Sequence, residues 1–241
     1  AATATLEGNS ALAWKAAKKL QEHTATDIMR LPGWGTLQHY YTIPYNIAAK
    51  FGMWDTILSL PAPAHDLVYP RAIWHYARGM SFLGKNGMSD AQKELDSLKI
   101  LAADTSLPHL TVWGINTLAD LVQIAVKVLS AELAAKQHHP DSAISLLKEA
   151  VAIEDNLNYN EPPDWFFSVR HYLGAILLDA ARYAEAESVY RKDLQIWKKN
   201  GWALMGLHRS LMAQKKNKEA KKVKAAFEEA WRYPLPQVST L

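Results

Sequence analysis

Apolar and small residues recur along this chain at helical spacing, and near its C-terminus one pattern occurs twice. Leu173, Leu177, Glu185, Ala186 and Val189 return 34 residues later as Leu207, Leu211, Glu219, Ala220 and Val223. A period of 34 is the length of one helix–turn–helix unit of an α-solenoid. Within the unit, Gly174 is the small residue at which the second helix packs closely on the first. Ala186 is the small residue early in the second helix, and Tyr183 lies where the chain enters it. Leu173, Leu177 and Tyr190 form an apolar stripe that the i, i+3, i+4 spacing buries between helices.

The small residue of the second helix can be followed along the chain as Ala13, Ile57, Ala91, Ala143, Ala186 and Ala220. The intervals are 44, 34, 52, 43 and 34. Two equal the unit length, and three carry insertions assigned to loops or lengthened helices. The spacing predicts second helices near 11–20, 54–60, 89–101, 141–155, 184–197 and 218–231. Gly79, Phe82, Ala91 and Leu95 mark one unit; Ala131, Ala143, Leu147 and Ala150 mark the next, with its turn at His138-His139-Pro140-Asp141. Phe51-Gly52-Met53-Trp54-Asp55 reads as helix end, turn and restart, with Gly52 suited to left-handed geometry. Loops are predicted at 31–35, 61–64, 85–87, 105–108 and 160–164 from their Gly, Pro and Asn content. The array spans 1–233, and Pro234-Leu235-Pro236 opens a tail, 234–241. Only seven residues precede the turn at Gly8-Asn9-Ser10, too few for a full first helix. An array that starts within a repeat exposes an apolar face unless something covers it. Further repeats upstream, which would make this the C-terminal part of a longer protein, or a partner or self-association through the incomplete first repeat are expected to do so.

The best unit resembles the tetratricopeptide repeat, whose second helix commonly opens Gly-x-Tyr-x-x-Ala. Ala181-Arg182-Tyr183-Ala184-Glu185-Ala186 departs from it at the turn glycine, and Lys198 stands where that family often has proline. A more specific likeness runs from Glu154-Asp155-Asn156-Leu157 through Tyr159, Glu161-Pro162-Pro163-Asp164-Trp165 and Val169-Arg170 to Asn200-Gly201-Trp202-Ala203-Leu204. It is similar to a group of uncharacterised bacterial tetratricopeptide-repeat proteins with E-P-P-x-W and N-G-W-A-L motifs. Phe51–Asp55 and His75-Tyr76-Ala77-Arg78-Gly79 fit the same group, so the likeness covers most of the chain. The resemblance implies an all-α, right-handed α-solenoid of about five helix pairs plus a partial first repeat, with more repeats upstream that contain His-rich stretches. It implies no particular activity, and for a bacterial protein it leaves cytoplasm and periplasm open.

Composition narrows the chemistry. Apolar residues are 49% and charged residues 21% of the chain, as in a folded protein rather than a disordered one. A net charge of +3 is too small to point to nucleic acid or a membrane surface. The lysine run from Lys215 to Lys224 reads as the solvated face of a terminal repeat. With no cysteine there is no disulfide, thiol nucleophile or Cys-based zinc site. The longest apolar region, 110–135, is interrupted by Asp120, Lys127 and Glu132, so no membrane insertion is expected. Phosphate-binding glycine loops, H-E-x-x-H and G-x-S-x-G are all missing.

In such an array the first helices line a concave face, where peptides and other partners bind. Counting from each small residue places His39, Thr42, Asn46, Lys50, Tyr76, Met80, Glu132, Lys136, His171, Asp179, Trp202, Met205 and Arg209 there. Trp165 and Arg170 join them if the Glu161–Trp165 insertion folds over the groove; otherwise its prolines hold a rigid loop that packs Trp165 and Phe166 on a neighbouring repeat. Aromatic, Met and Arg side chains suit anchoring. His75 is the candidate metal ligand, in company with upstream histidines; His138-His139 diverge at a turn, and His65-Asp66 follow a Pro-rich loop. The expected function is a non-catalytic scaffold that binds a protein or peptide segment, with no cofactor. The alternatives are a metal-dependent enzyme or sensor centred on His75 and a small-ligand receptor near Trp165 and Trp202.

Overall fold

Helices joined in pairs account for nearly all the regular structure of the computed structural model, which describes residues 1–236. They are α1 (Ala2–Leu6), α2 (Ser10–Glu22), α3 (Gly35–Lys50), α4 (Trp54–Ser59), α5 (Val68–Gly84), α6 (Met88–Ala102), α7 (Leu118–Lys136), α8 (Pro140–Asn156), α9 (Arg170–Asp179), α10 (Tyr183–Ile196), α11 (Gly201–Ala213) and α12 (Asn217–Ala230). The fold is all-α; the described residues add only one antiparallel hairpin, β1 (Thr111–Val112) with β2 (Asn116–Thr117). Of the expected tail, 237–241 lie outside the described residues.

One turn is used six times. Gly8, Gly52, Asn86, His138, Ala181 and Lys215 each take positive φ, between 57° and 82°. The amide one residue further on returns to the carbonyl five residues back, as in Asn9 to Ala4 (2.7 Å), Gly87 to Phe82 (2.7 Å) and Lys216 to Leu211 (2.9 Å). This bonding satisfies carbonyls that a helix end would otherwise leave without a partner. Five residues after each left-handed position comes Ala13, Ile57, Ala91, Ala143, Ala186 or Ala220, and all six are wholly buried, at 0% exposure. His138 is therefore a turn residue, and its neighbour His139 caps α8; both side chains are exposed.

Close packing follows from the small positions. Tyr190 of α10 lies between Gly174 of α9 and Gly206 of α11, and a Cβ at either glycine would overlap its ring. Pro44 lies inside α3, where it removes one backbone donor. The Gln21 amide from α2 donates to the nearby Tyr41 carbonyl at 2.9 Å, supporting the perturbed turn from outside.

Each hairpin packs on the next, with contacts running α3–α5, α5–α7, α7–α9 and α9–α11 along the first helices. The array also spirals tightly enough for its two ends to meet. The turn at Gly8 rests on the Trp231 indole just after α12, and Gly201 at the start of α11 touches the same ring. Trp202 donates its indole N–H to the Thr5 carbonyl at 3.0 Å and meets Phe51, just after α3, edge-on. Ala4, Ala13, Ala17, Ile43, Ile47, Phe51, Trp202, Leu204, Phe227 and Trp231 make one buried cluster. Part of the N-terminal face is therefore met from within the chain. Residues 2–6 form a short helix, α2 packs on α1 and α3, and the chain's own last hairpin meets the N-terminal segment at Thr5 and Gly8.

Candidate binding cleft

The three intervals longer than 34 correspond to three long connections between one hairpin and the next: residues 23–34, 103–117 and 157–169. Because the six uniform turns occupy the other end of every hairpin, all three connections emerge at the same end. The two intervals of 34 have plain connections there, 60–67 and 197–200. Insertions in a repeat array map to loops on one face, often the binding face.

The second and third connections converge on α3. The backbone N–H of Trp113, at the hairpin tip, donates to the Thr36 hydroxyl at 2.8 Å, and its indole N–H to the Tyr40 hydroxyl at 2.9 Å. Asn116 in β2 ties the third connection down: its amide N–H donates to Asp164 at 2.7 Å and to the Asn158 carbonyl at 2.9 Å. Its side-chain oxygen accepts from the Asn158 N–H at 2.8 Å. Asn160 donates to the other Asp164 oxygen at 2.7 Å. Burial raises the Asp164 pKa, and the two amides only partly offset this. Residues 160–165 become a strap, with Glu161–Pro162 cis and Trp165 driven inward, edge-on to Tyr76 at 5.7 Å.

The strap separates two clefts. The larger, of about 680 Å³, lies between strap, hairpin tip and the first turns of α3, with residues 1–3 along its edge. His39, Tyr40, Ile43, Trp113, Phe166 and Trp197 are among the residues of its walls, and Glu161 and Asp164 supply its acidic groups. Trp113 is 63% exposed at the rim. The smaller cleft, of about 330 Å³, is lined by Glu154, Asp155, Tyr159, Arg170 and Ile196. A cavity of about 30 Å³, the size of a water or two, lies beneath, against Ser168, His171, Asn200 and Trp202. All three share Pro163 and Trp197.

Below that cavity lies a buried polar network. Lys50, the last residue of α3, places Nζ 3.1 Å from His171 Nδ1 and 3.9 Å from the Trp202 ring centroid. His171 Nε2 faces Asp193 at 3.3 Å and Asn200 at 2.8 Å, and Asn200 also donates to Asp193 at 3.0 Å. Burial pushes the Lys50 amine down to about 7, although Asp193 and Glu132 pull it back up. Burial, then repulsion from Lys50, lowers His171 as well. Burial pushes the Asp193 carboxyl up, but His171, Ser168 and Arg170 outweigh it and hold the carboxyl below the usual range. An ammonium on Lys50 donates to Nδ1, which puts the imidazole proton on Nε2 facing Asp193. If the proton sits on the imidazole instead, Nδ1–H donates to a neutral Lys50 amine and Nε2–H still donates to Asp193, which as a carboxylate only accepts. Lys50 and His171 together hold at most a single positive charge, set against Asp193.

The residues expected on one concave face divide into two groups. His39, Thr42, Asn46, Lys50, Tyr76, Met80, Glu132, His171 and Trp202 are buried, because the spiral turns their helices toward one another. His39 Nδ1 lies 2.9 Å from the Tyr69 hydroxyl, and burial lowers the His39 pKa to about 4, so its ring is neutral. Trp165 and Arg170 are buried too; Arg170 reaches Asp155 at 2.6 Å and Glu154 at 3.8 Å. Burial raises the Glu154 carboxyl to about 8 in spite of Arg170. Met205 is half-buried. Lys136, Asp179 and Arg209 are exposed on α7, α9 and α11 near the uniform turns. Burial raises the Asp179 pKa, and Arg209 and Lys136 partly counter it.

His75 faces α6 rather than the interior. Its Nδ1 lies 2.6 Å from Glu94, which also accepts from Arg78 at 2.7 Å. Among the described residues no three His, Asp or Glu side chains are grouped to hold a metal ion. Tyr40, Trp113, Asn116, Asn158, Asn160 and Trp197 were not singled out by sequence reasoning. The run Thr111-Val112-Trp113-Gly114-Ile115-Asn116-Thr117, β-branched and aromatic residues around a glycine, is the hairpin signal that points to Trp113 and Asn116. No protein-family model, curated protein or solved structure significantly matches the chain.

Proposed function

We propose that this protein is a tetratricopeptide-repeat-type binding module, without catalytic chemistry of its own, that holds a short extended protein segment in the 680 Å³ cleft beside the strap. The observation that carries this reading is the convergence of separate insertions, from different repeats, on one aromatic-lined hollow. The repeat reading is supported by six equivalent turns with a buried small residue five positions on. The cleft volume lies within the roughly 300–1,000 Å³ of built ligand sites, and such sites are mostly apolar with a few fixed polar groups. Its polar groups are already engaged: His39 meets Tyr69, and both Asp164 oxygens accept amide protons. That suits recognition on a rigid surface. No helix is long and apolar enough to cross a membrane among the described residues.

The test is selection from a displayed random heptapeptide library on the purified chain, followed by amide chemical-shift mapping with the selected peptide. Shifts concentrated in 36–43, 111–117 and 160–166 are expected. Shifts confined to the surroundings of Lys136, Asp179 and Arg209, or a library that yields no binder, would overturn the proposal.

A further inference from the structure

We infer that the segment held in this cleft presents a cationic side chain, a lysine ammonium or arginine guanidinium, to the aromatic walls between Glu161 and Asp164. The inference rests on the binding reading above and adds the chemistry of the occupant.

Charge is the first ground. Among the described residues lining the cleft there are two carboxylates and no lysine or arginine side chain. The only other titratable ring of basic type, His39, is buried and bonded to Tyr69 through Nδ1. Arg170 lies across the strap and is committed to Asp155 at 2.6 Å. Asp164 is only 4% exposed, and it accepts from two neutral amides, Asn116 and Asn160. A carboxylate held in a wall of low polarity by neutral donors leaves a negative potential in the space it faces. Glu161 stands exposed at the rim, where the Tyr159 hydroxyl engages it.

Ring geometry is the second. Tyr40 and Trp113 meet edge to face, 6.3 Å apart at 65°, and the Trp113 indole N–H is bound to the Tyr40 hydroxyl. The pair is thereby fixed, and Phe166 and Trp197 line the same cleft. Aromatic faces attract a cation within about 6 Å of the ring centroid, Trp most strongly. Rings with adjacent carboxylates select an ammonium or guanidinium against a neutral or acidic group of equal size. The cleft's largely apolar walls, and Trp113 and Tyr159 exposed at 63% and 80% nearby, supply apolar contact for the residues flanking the cation. That favours a segment of chain over a free small cation.

The test uses the full chain and a set of blocked, fluorescent heptapeptides with apolar flanks and lysine, arginine, glutamine or glutamate at the centre, read by polarisation. The lysine and arginine peptides are expected to bind about tenfold or more tighter than the glutamine peptide, and the glutamate peptide weakest. Raising salt from about 0.1 to about 0.5 M narrows the gap, as for any partly exposed charge pair. Glu161→Gln, at an exposed position, narrows it too without moving the thermal midpoint. Equal binding of lysine and glutamine peptides in the cleft overturns the cationic preference and leaves the binding reading standing. Absence of binding by every peptide, or binding unchanged by Trp113→Ala, removes both. Butylammonium competing at the affinity of the whole lysine peptide would make this a free-cation site and overturn the assignment of a segment.

Discussion

The two ends of this array are built under different rules. At one end six turns repeat a single backbone solution, whether the left-handed residue is Gly8, Gly52, Asn86, His138, Ala181 or Lys215. At the other, connections differ in length and sequence, and two of them fold onto α3 and onto each other to enclose a cleft. The uniform end is fixed by the need to satisfy helix-end carbonyls and to place a small residue against the preceding helix. The irregular end is released from that constraint, and Trp113, Trp197, Glu161 and Asp164 gather there around the cleft. Repetition supplies the frame, and departures from repetition supply the surface.

The irregular end is part of the packed array rather than an appendage to it. Trp202 lies there, wholly buried between α1 and α3. Trp202→Ala is expected to destabilise the protein by about 3–5 kcal/mol in denaturant unfolding, the range for a large buried aromatic. A loss below about 1 kcal/mol would show that the ends do not depend on each other.

Lys50 joins the two ends electrostatically, and pH sharpens that point. Its amine titrates at about 7 in the folded protein, against about 10.4 in an unfolded chain. Between these values the unfolded chain keeps a proton that the folded one has released. The penalty for burying the ammonium is therefore full below pH 7 and is relieved as pH rises, by at most about 1.4 kcal/mol per pH unit. Unfolding measured at pH ~7 and pH ~9 should show wild-type stability rising relative to Lys50→Met. An identical pH dependence in the two proteins would remove Lys50 as the titrating group.

At the uniform end the expected effects are smallest. Ala181 holds φ of 57° with a side chain that disfavours it. Ala181→Gly should stabilise by about 0.5–1 kcal/mol, and Gly52→Ala should destabilise by a similar amount. Opposite signs at equivalent turns are the signature of one shared geometry; equal signs would mean that the turns are not equivalent.

Much of the frame was legible in the sequence. The small residues Ala13, Ile57, Ala91, Ala143, Ala186 and Ala220 fall where the wholly buried positions are, since sequence spacing carries helical phase directly. The long intervals exposed the insertions but not their meeting place. Asn116 and Asp164 lie 48 residues apart, in different connections, and no local pattern pairs them. The candidate surface was harder still. Helical phase places Lys50, Tyr76, Glu132 and His171 on one side in the sequence, but whether that side is open depends on how tightly the array curls. The contact that shows it, Lys50 to His171, spans 121 residues. Trp165 and Trp202 were visible as unusual residues, and burial makes them supports of the cleft rather than its walls.

The most direct test of the central claim sets the two ends against each other in one binding assay. A peptide selected on the wild-type chain is titrated against Trp113→Ala at the irregular end and Arg209→Glu near the uniform end. Anchoring aromatics carry most of an interface's energy, so Trp113→Ala should weaken binding about tenfold or more and Arg209→Glu by less than about twofold. The reverse ranking would put the binding surface among Lys136, Asp179 and Arg209 and contradict the account.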